Sequence, residues 1–282
     1  MVQPLQNMRL LYSLIFFIFL SFSANAQEED KKEEQIDTKS GSEAEELAKK
    51  LANPIASLIS IPLQNNTDFG IGELEGTRNT LNIQPVVPIR LGDNLNLITR
   101  YIFPVVTQYN ITGVGEKQSG LSDAVVSAFF SPSNSKNLTW GIGPVFLLPI
   151  GTDDLLTTDK FGVGPTAVAL TQTNGWTIGG LINQIWSVSG NEDRADVSQM
   201  FVQPFVVYNW KSGAGLGANL EWTQNWETSE STIWLNPTFS AVSSMGNQKF
   251  QLVIGPRFNL DAPDGAKADL GGRAVLIFLF PK

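Results

Sequence analysis

From residue 57 onward the chain alternates apolar and polar side chains over stretch after stretch of about ten residues, the length a tilted strand needs to cross a membrane. Residues 214–226 show it best: Leu216, Ala218, Leu220, Trp222 and Trp226 fall on one face, and Gly215, Gly217, Asn219, Glu221, Thr223 and Asn225 on the other. Residues 250–260 repeat it, with Phe250, Leu252, Ile254, Phe258 and Leu260 set against Gln251, Arg257 and Asn259. Trp176 to Val188 and Ile233 to Ala241 follow the same rule with one or two exceptions. Such a period means sheet with one apolar and one polar face. After Gln27 no apolar run approaches the roughly 20 residues of a membrane helix, because Gly, Pro, Asn or a charge breaks each one.

Segmentation on this period predicts about 12 strands, at 57–71, 78–90, 95–107, 120–131, 138–151, 161–173, 176–189, 198–210, 214–227, 232–244, 249–262 and 268–281. Leu91-Gly92-Asp93-Asn94, Asn174-Gly175, Lys211-Ser212-Gly213 and Met245-Gly246-Asn247 read as tight hairpin turns, and Ser131 to Asn137 as a slightly longer one. Between them lie longer acidic or Gly-rich loops at 108–119, 152–160 and 190–197. Short turns on one side and long loops on the other are the asymmetry of outer-membrane barrels. An even strand count then puts both termini in the periplasm. On this layout Trp140, Trp176, Trp210, Phe250 and Phe280 sit outward at one set of strand ends, and Trp186 and Trp226 at the other, as two interfacial girdles. Pro85, Pro144, Pro165, Pro204, Pro237 and Pro256 fall inside the strands, each outward after an inward Gln, Gly or Asn; bulges or local kinks are the expected accommodation. The expected fold class is all-β, an antiparallel transmembrane β-barrel preceded by a short helix.

The first 26 residues read differently. Met8-Arg9 is a thin positive start, Leu10 to Phe22 an apolar run too short to span comfortably, and Ala24-Asn25-Ala26 a signal-peptidase site, so the mature chain is expected to begin at Gln27. Residues 27–42 are charge-dense without periodicity and read as a disordered periplasmic tail. Ser42-x-x-Glu45 is a capping box opening a helix from Glu43 to Leu51, stopped by Asn53-Pro54. Leu47, Leu51 and Ile55 share a face that could plug the barrel or lie on its rim; the simplest expectation is a lead-in helix. The organisation is thus 1–26 signal peptide, 27–52 tail and helix, and 53–282 barrel.

Seven blocks carry a resemblance: Ser57 to Asn66, Trp140 to Pro144, Pro149 to Asp154, Phe161 to Thr166, Gln184 to Val188, Ala262 to Gly265 and Phe278 to Lys282. Together they resemble bacterial outer-membrane β-barrel proteins labelled "transporter", "neuromedin U" or MetA-pathway phenol-degradation-like, over roughly Leu51 to the end. The resemblance implies an outer-membrane barrel and passage of small molecules, aromatic ones among them. It offers no catalytic residue to carry over.

Charge and composition exclude several functions. The net charge is -8, and removing Arg9 with the signal leaves -9, so nothing favours a nucleic-acid partner. There is no His and no Cys, which removes Ser-His and Cys-His nucleophilic pairs, disulfides and ordinary zinc sites. No enzyme and no cofactor is expected. The interior candidates are Arg100, Asn219, Glu221, Gln251, Arg257 and Arg273, with the three arginines grouped on one side and Glu221 further round the wall. They either set a transverse field favouring anions or pair with Asp261, Asp269 or Glu221 and fill the lumen. Asp153, Asp154 and Asp159, with Glu192, Asp193 and Asp196, offer oxygen ligands to a divalent cation, although they lack a fixed ligand spacing and suit a solvated surface better.

The expected function is a channel or transporter-like barrel of the Gram-negative outer membrane for passive passage of small solutes, aromatic or anionic. Its partners are outer-membrane lipids, the solute and the barrel-assembly machinery. The alternatives are a structural or surface-exposed barrel with a closed lumen, and a soluble ligand-binding barrel, which would need an apolar interior.

Overall fold

The computed structural model describes residues 43–135 and 137–280; the expected signal peptide, its cleavage point, the 27–42 tail and the Ser42 cap lie outside the described residues. A helix spans 43–51. Fourteen strand segments follow: β1 (Ile59–Ile71), β2 (Gly76–Ile83), β3 (Val86–Arg90), β4 (Leu95–Tyr109), β5 (Lys117–Leu121), β6 (Ala124–Pro132), β7 (Thr139–Leu148), β8 (Lys160–Thr173), β9 (Trp176–Gly190), β10 (Ser198–Asn209), β11 (Ala214–Asn225), β12 (Glu230–Met245), β13 (Gln248–Asp261) and β14 (Leu270–Phe280).

Each segment pairs antiparallel with its neighbours, and β14 returns to β1 from Ile59↔Phe280 to Phe69↔Leu270, which closes the sheet. β2 and β3 continue one another between β1 and β4, and β5 and β6 continue one another along β4. The fourteen segments therefore make a closed barrel of twelve strands. Both breaks have a local cause. At the first, Pro85 has no N–H, and the ladder carries on through Gln84 N–H to Pro62 O and Tyr101 N–H to Pro85 O. At the second, Asp123 leaves the ladder to accept hydrogen bonds from Thr157 Oγ1 (2.5 Å), Thr158 N–H (2.7 Å) and Thr158 Oγ1 (2.5 Å) in the following loop.

The tight turns lie at one end of the barrel, at 91–94, 174–175, 210–213 and 246–247, with the longer 133–138 beside them. Asn174 (φ 49°) and Gly175 (φ 81°) are both left-handed, the conformation that matches a two-residue hairpin to strand twist. The other end carries the long connections 110–116, 149–159, 191–197 and 262–269. The asymmetry is incomplete, since 72–75 and 226–229 at this loop end are also short.

The expected prolines do point outward, yet they introduce no bulge. Pairing runs Ser127↔Val145 to Phe130↔Ile142, Val202↔Trp222 to Phe205↔Asn219, and Leu235↔Phe258 to Phe239↔Ile254, so register is kept across the unpaired residues in between. Each proline keeps a partner on its other side, as in Pro144↔Pro165 and Pro204↔Gly180. The glycines just before Pro144, Pro165 and Pro256 let the next strand in: a Cβ at Gly143, Gly164 or Gly255 would collide with the carbonyl oxygen of Ala128, Gln184 or Pro237. Register shifts occur elsewhere, near Gly70, Phe161 and Ile233.

The outer surface is apolar, with Leu216, Ile178, Ile182, Leu252, Ile254 and Phe239 all exposed on it. Trp140, Trp176, Trp210 and Phe280 are exposed at the turn end, and Trp186 and Trp226 at the loop end. Trp176, Tyr208 and Trp210 form a contiguous aromatic patch, with ring centroids 4.9 and 5.5 Å apart. With lipid or detergent covering a surface this apolar, an arginine on it would have no water to solvate it. Leu220→Arg and Ile254→Arg are each expected to cost about 2–4 kcal/mol, read as a drop in the urea midpoint of the detergent-folded protein. Asn219→Arg, one residue away but turned to the interior cavity, is expected to be far better tolerated. Equal sensitivity at Leu220 and Asn219 would contradict the face assignment.

Candidate functional site: the barrel interior

Alternation along each strand puts the polar set inside. All six sequence candidates face inward: Arg100 from β4, Asn219 and Glu221 from β11, Gln251 and Arg257 from β13, and Arg273 from β14. Their partners differ from the sequence expectation. Arg257 donates through Nη1 to both carboxylate oxygens of Asp68 on β1 (2.7 and 2.9 Å) and through Nε to Asn236 Oδ1 (3.1 Å). Its Nη2 lies 3.8 Å from Glu221 Oε2. Arg273 contacts Glu221 through Nη2, at 2.9 Å from Oε1 and 3.1 Å from Oε2, and donates from Nε to Asn66 Oδ1 (2.8 Å). Asp261 and Asp269, expected as partners, take no part in these pairs. Glu221 does not stand apart on a separate wall. It reaches across to both arginines.

The belt includes residues that the sequence did not single out. Trp234, inward on β12, places its ring under the Arg257 guanidinium, 4.1 Å from centroid to Cζ, where the ring quadrupole attracts a cation. Asn236 is fully buried and donates to Asn219 Oδ1 (3.0 Å), while Gln203 donates to Glu221 Oε1 (3.3 Å). Toward the loop end Arg78 donates to Gln108 (3.0 Å), Gln108 to Gln118 (3.1 Å) and Gln118 to Thr112 (2.7 Å). Arg100 stands apart: among the described residues its one acceptor is the neutral Gln84 Oε1, at 2.8 Å from Nη2. Among the described residues, Arg257 and Arg273 thus reach the carboxylates Asp68 and Glu221, whereas Arg100 and, nearer the loop end, Arg78 bond neutral glutamines.

The helix is not a mere lead-in. It and the segment after it are lodged in the turn end of the barrel, against inward side chains from opposite walls. Leu47 and Leu58 pack with Leu279, flanked by Val242 and Ile277. Ile55 packs with Ile98, Phe129, Val168 and Leu181 across the barrel. Gln172 donates to the Lys49 carbonyl (2.8 Å), and Glu43 pairs with Lys249 (3.3 Å). The Leu47, Leu51 and Ile55 face is therefore satisfied by the barrel's own interior. Between this stopper and the charged belt remains a cavity of about 280 Å³, lined by residues that include Leu51, Gln84, Val86, Arg100, Phe205, Asn219, Gln251 and Arg273.

At the loop end the acidic side chains serve the loops themselves. Lys160 donates to Asp196 Oδ1 (2.9 Å) and Ser187 donates to the same oxygen (3.2 Å), which holds the Asp196 carboxyl below the usual carboxylate range. Asp153 accepts from the Leu155 N–H (2.9 Å), and Arg194 donates to the carbonyls of Asp154 (2.6 Å) and Thr157. Among the described residues no three acidic groups converge in a way that could hold a metal ion.

No protein-family model and no curated protein matches the chain in sequence. Solved structures do match in shape. An outer-membrane channel from Pseudomonas putida F1 superposes with a TM-score of 0.65 at 14% identity, over 81% of this chain and 97% of that one. The fold is that of a bacterial outer-membrane β-barrel. Slighter likenesses are to the β domain of the Bordetella autotransporter BrkA (TM-score 0.45, 10% identity, 79% of this chain and 100% of that one) and to outer-membrane phospholipase A of Escherichia coli (TM-score 0.41, 11% identity, 84% and 98%).

Proposed function

We propose that the protein is a narrow outer-membrane channel that passes small solutes passively and prefers anions. The observation carrying this reading is the interior belt, where, among the described residues, four arginines outnumber two carboxylates beside a cavity of about 280 Å³. An inward excess of one charge sign lowers the barrier for the opposite ion. The likeness to a channel supports the reading, as does an apolar outer wall that suits lipid as its surroundings. The chain, on this reading, is delivered by its signal peptide, inserted by the barrel-assembly machinery, and oriented with both termini and the short turns in the periplasm. On this reading it is not an enzyme: with no His or Cys, no Ser–His or Cys–His nucleophile–base pair can form.

A second reading has an observation of its own. The helix and the Ile55 cluster fill much of the turn end, as in a structural barrel with a permanently closed lumen. Proteoliposome swelling separates the two. Purified protein reconstituted in phospholipid vesicles is expected to admit small anions and exclude oligosaccharides. Vesicles as tight to small anions as protein-free controls would support the closed barrel.

A further inference from the structure

The cavity between the helix and the belt is amphipathic along the barrel axis, and its polar end holds an arginine that makes no salt bridge among the described residues. Going from belt to turn end, Gln84 precedes Val86 on the inner wall, Gln203 precedes Phe205 and Val207, and Arg273 precedes Val275 and Ile277. A cationic, hydrogen-bonding rim thus gives way to an apolar band interrupted by Ser60, Gln64, Asn209, Thr238, Ser240 and Gln251. The two arginines of the rim are not equivalent. Arg273 is taken up by Glu221 and Asn66. Arg100 has five N–H donors and, among the described residues, bonds one neutral acceptor, Gln84, which is itself buried.

We propose that this cavity is a binding site for a small organic monocarboxylate, with Arg100 gripping the carboxylate and the Val86, Phe205, Val207, Val275 and Ile277 band holding its apolar body. A guanidinium fork matches a carboxylate in two parallel hydrogen bonds, stronger than those it makes to a neutral amide. One free fork suits one carboxylate, because a dianion would need a second cation and Arg273 is already neutralised. Chloride or phosphate would leave the apolar band unfilled. The volume of about 280 Å³ lies just below the range of ligand pockets, which run from about 300 Å³ upward, and so restricts the ligand to a few carbon atoms or a single ring. The belt lies immediately beyond, so the site is a resting place on the route proposed above, and the inference rests on that reading for its direction of travel.

Benzoate is a suitable probe, with benzyl alcohol as its neutral counterpart, in titration calorimetry on the full-length protein folded in detergent. Benzoate is expected to bind at one site at least about tenfold tighter than benzyl alcohol, and Arg100→Gln to abolish that difference, as loss of a charge-assisted pair requires. Arg100→Lys, which keeps the charge and the fold but loses the fork, is expected to retain only part of the preference. If Arg100→Gln does not fold, the lysine variant decides: affinity equal to wild type would overturn the Arg100 grip. Equal binding of benzoate and benzyl alcohol, or no benzoate binding, would overturn the site. Conductance measured on the same preparation separates the two proposals. Conductance without benzoate binding would sink the site and leave the channel, whereas Arg100-dependent binding in a non-conducting barrel would uphold the site and sink the channel.

Discussion

Deletion of residues 43–56 is expected to raise the single-channel conductance of the reconstituted protein severalfold. The deleted segment carries the helix and Ile55, which packs across the interior with Ile98, Phe129, Val168 and Leu181. Leu47 ties the same segment to Leu279 on the last strand. Removing these side chains empties the turn end and joins it to the 280 Å³ cavity beneath the belt. The deletion also forfeits apolar burial of about 1.5–3 kcal/mol per large side chain, so a lower unfolding midpoint is expected alongside the gain in current. Ile55→Asp is the milder version, since a carboxylate cannot stay in that cluster unpaired. It should raise conductance, with the barrel chain intact. Planar-bilayer recordings check both, and an unchanged unitary current in the deletion would show that the segment does not limit permeation.

Asp68→Ala is expected to be the most destabilising single substitution in the belt, by about 3–5 kcal/mol. Asp68 is the bidentate acceptor of Arg257, and both side chains are almost fully withdrawn from solvent, at 10% and 6% exposure. Its loss leaves a buried guanidinium whose remaining carboxylate, Glu221, lies 3.8 Å away and is already engaged by Arg273. The cost is that of an orphaned charge rather than of the pair itself. The double variant Asp68→Leu/Arg257→Met should therefore recover much of the stability, because a well-packed apolar pair avoids desolvation altogether. Urea titration of the detergent-folded barrel, read by the heat-sensitive gel shift, provides the midpoints. A double variant as unstable as Asp68→Ala would mean the ion pair contributes attraction that packing cannot replace.

The wall was legible in the sequence because a membrane barrel must present an unbroken apolar exterior, and that requirement writes a period of two into every strand. Leu216 to Trp226 and Phe250 to Leu260 carried it with only Gln224 and Val253 out of place, and Asn174-Gly175 marked a turn that only positive φ allows. The interior was legible as a face but not as a set of partners. Alternation says that Asp68 and Arg257 both point inward; it does not say that they meet. They lie 189 residues apart, and their contact depends on strand tilt and on the register with which β14 closes on β1. Strand tilt likewise lifts Glu221 on β11 to the height of Arg273 on β14, three strands away.

Trp234 escaped notice for a different reason. Between Ile233 and Leu235 it sits in an apolar run where the period is blurred, and its inward side is fixed only by pairing with Asn259 beside Arg257. The helix was ambiguous in principle, since the Leu47, Leu51 and Ile55 stripe serves a rim-bound and an inserted helix equally. Only the matching apolar patch on the far wall, built from four separate strands, distinguishes the two. The prolines suggest bulges or local kinks because a missing N–H is visible in sequence, whereas the preserved pairing on the opposite edge is not.

The reversal potential across a planar bilayer under a potassium chloride gradient reads the charge selectivity of this interior. With Arg78, Arg100, Arg257 and Arg273 facing, among the described residues, only Asp68 and Glu221 in the belt, current is expected to be carried mainly by chloride. Arg100→Ser/Arg257→Ser/Arg273→Ser, which leaves Arg78 against the two carboxylates, is expected to shift the potential toward cation selectivity. A wild-type protein that prefers potassium, or a triple variant with unchanged selectivity, would contradict this reading.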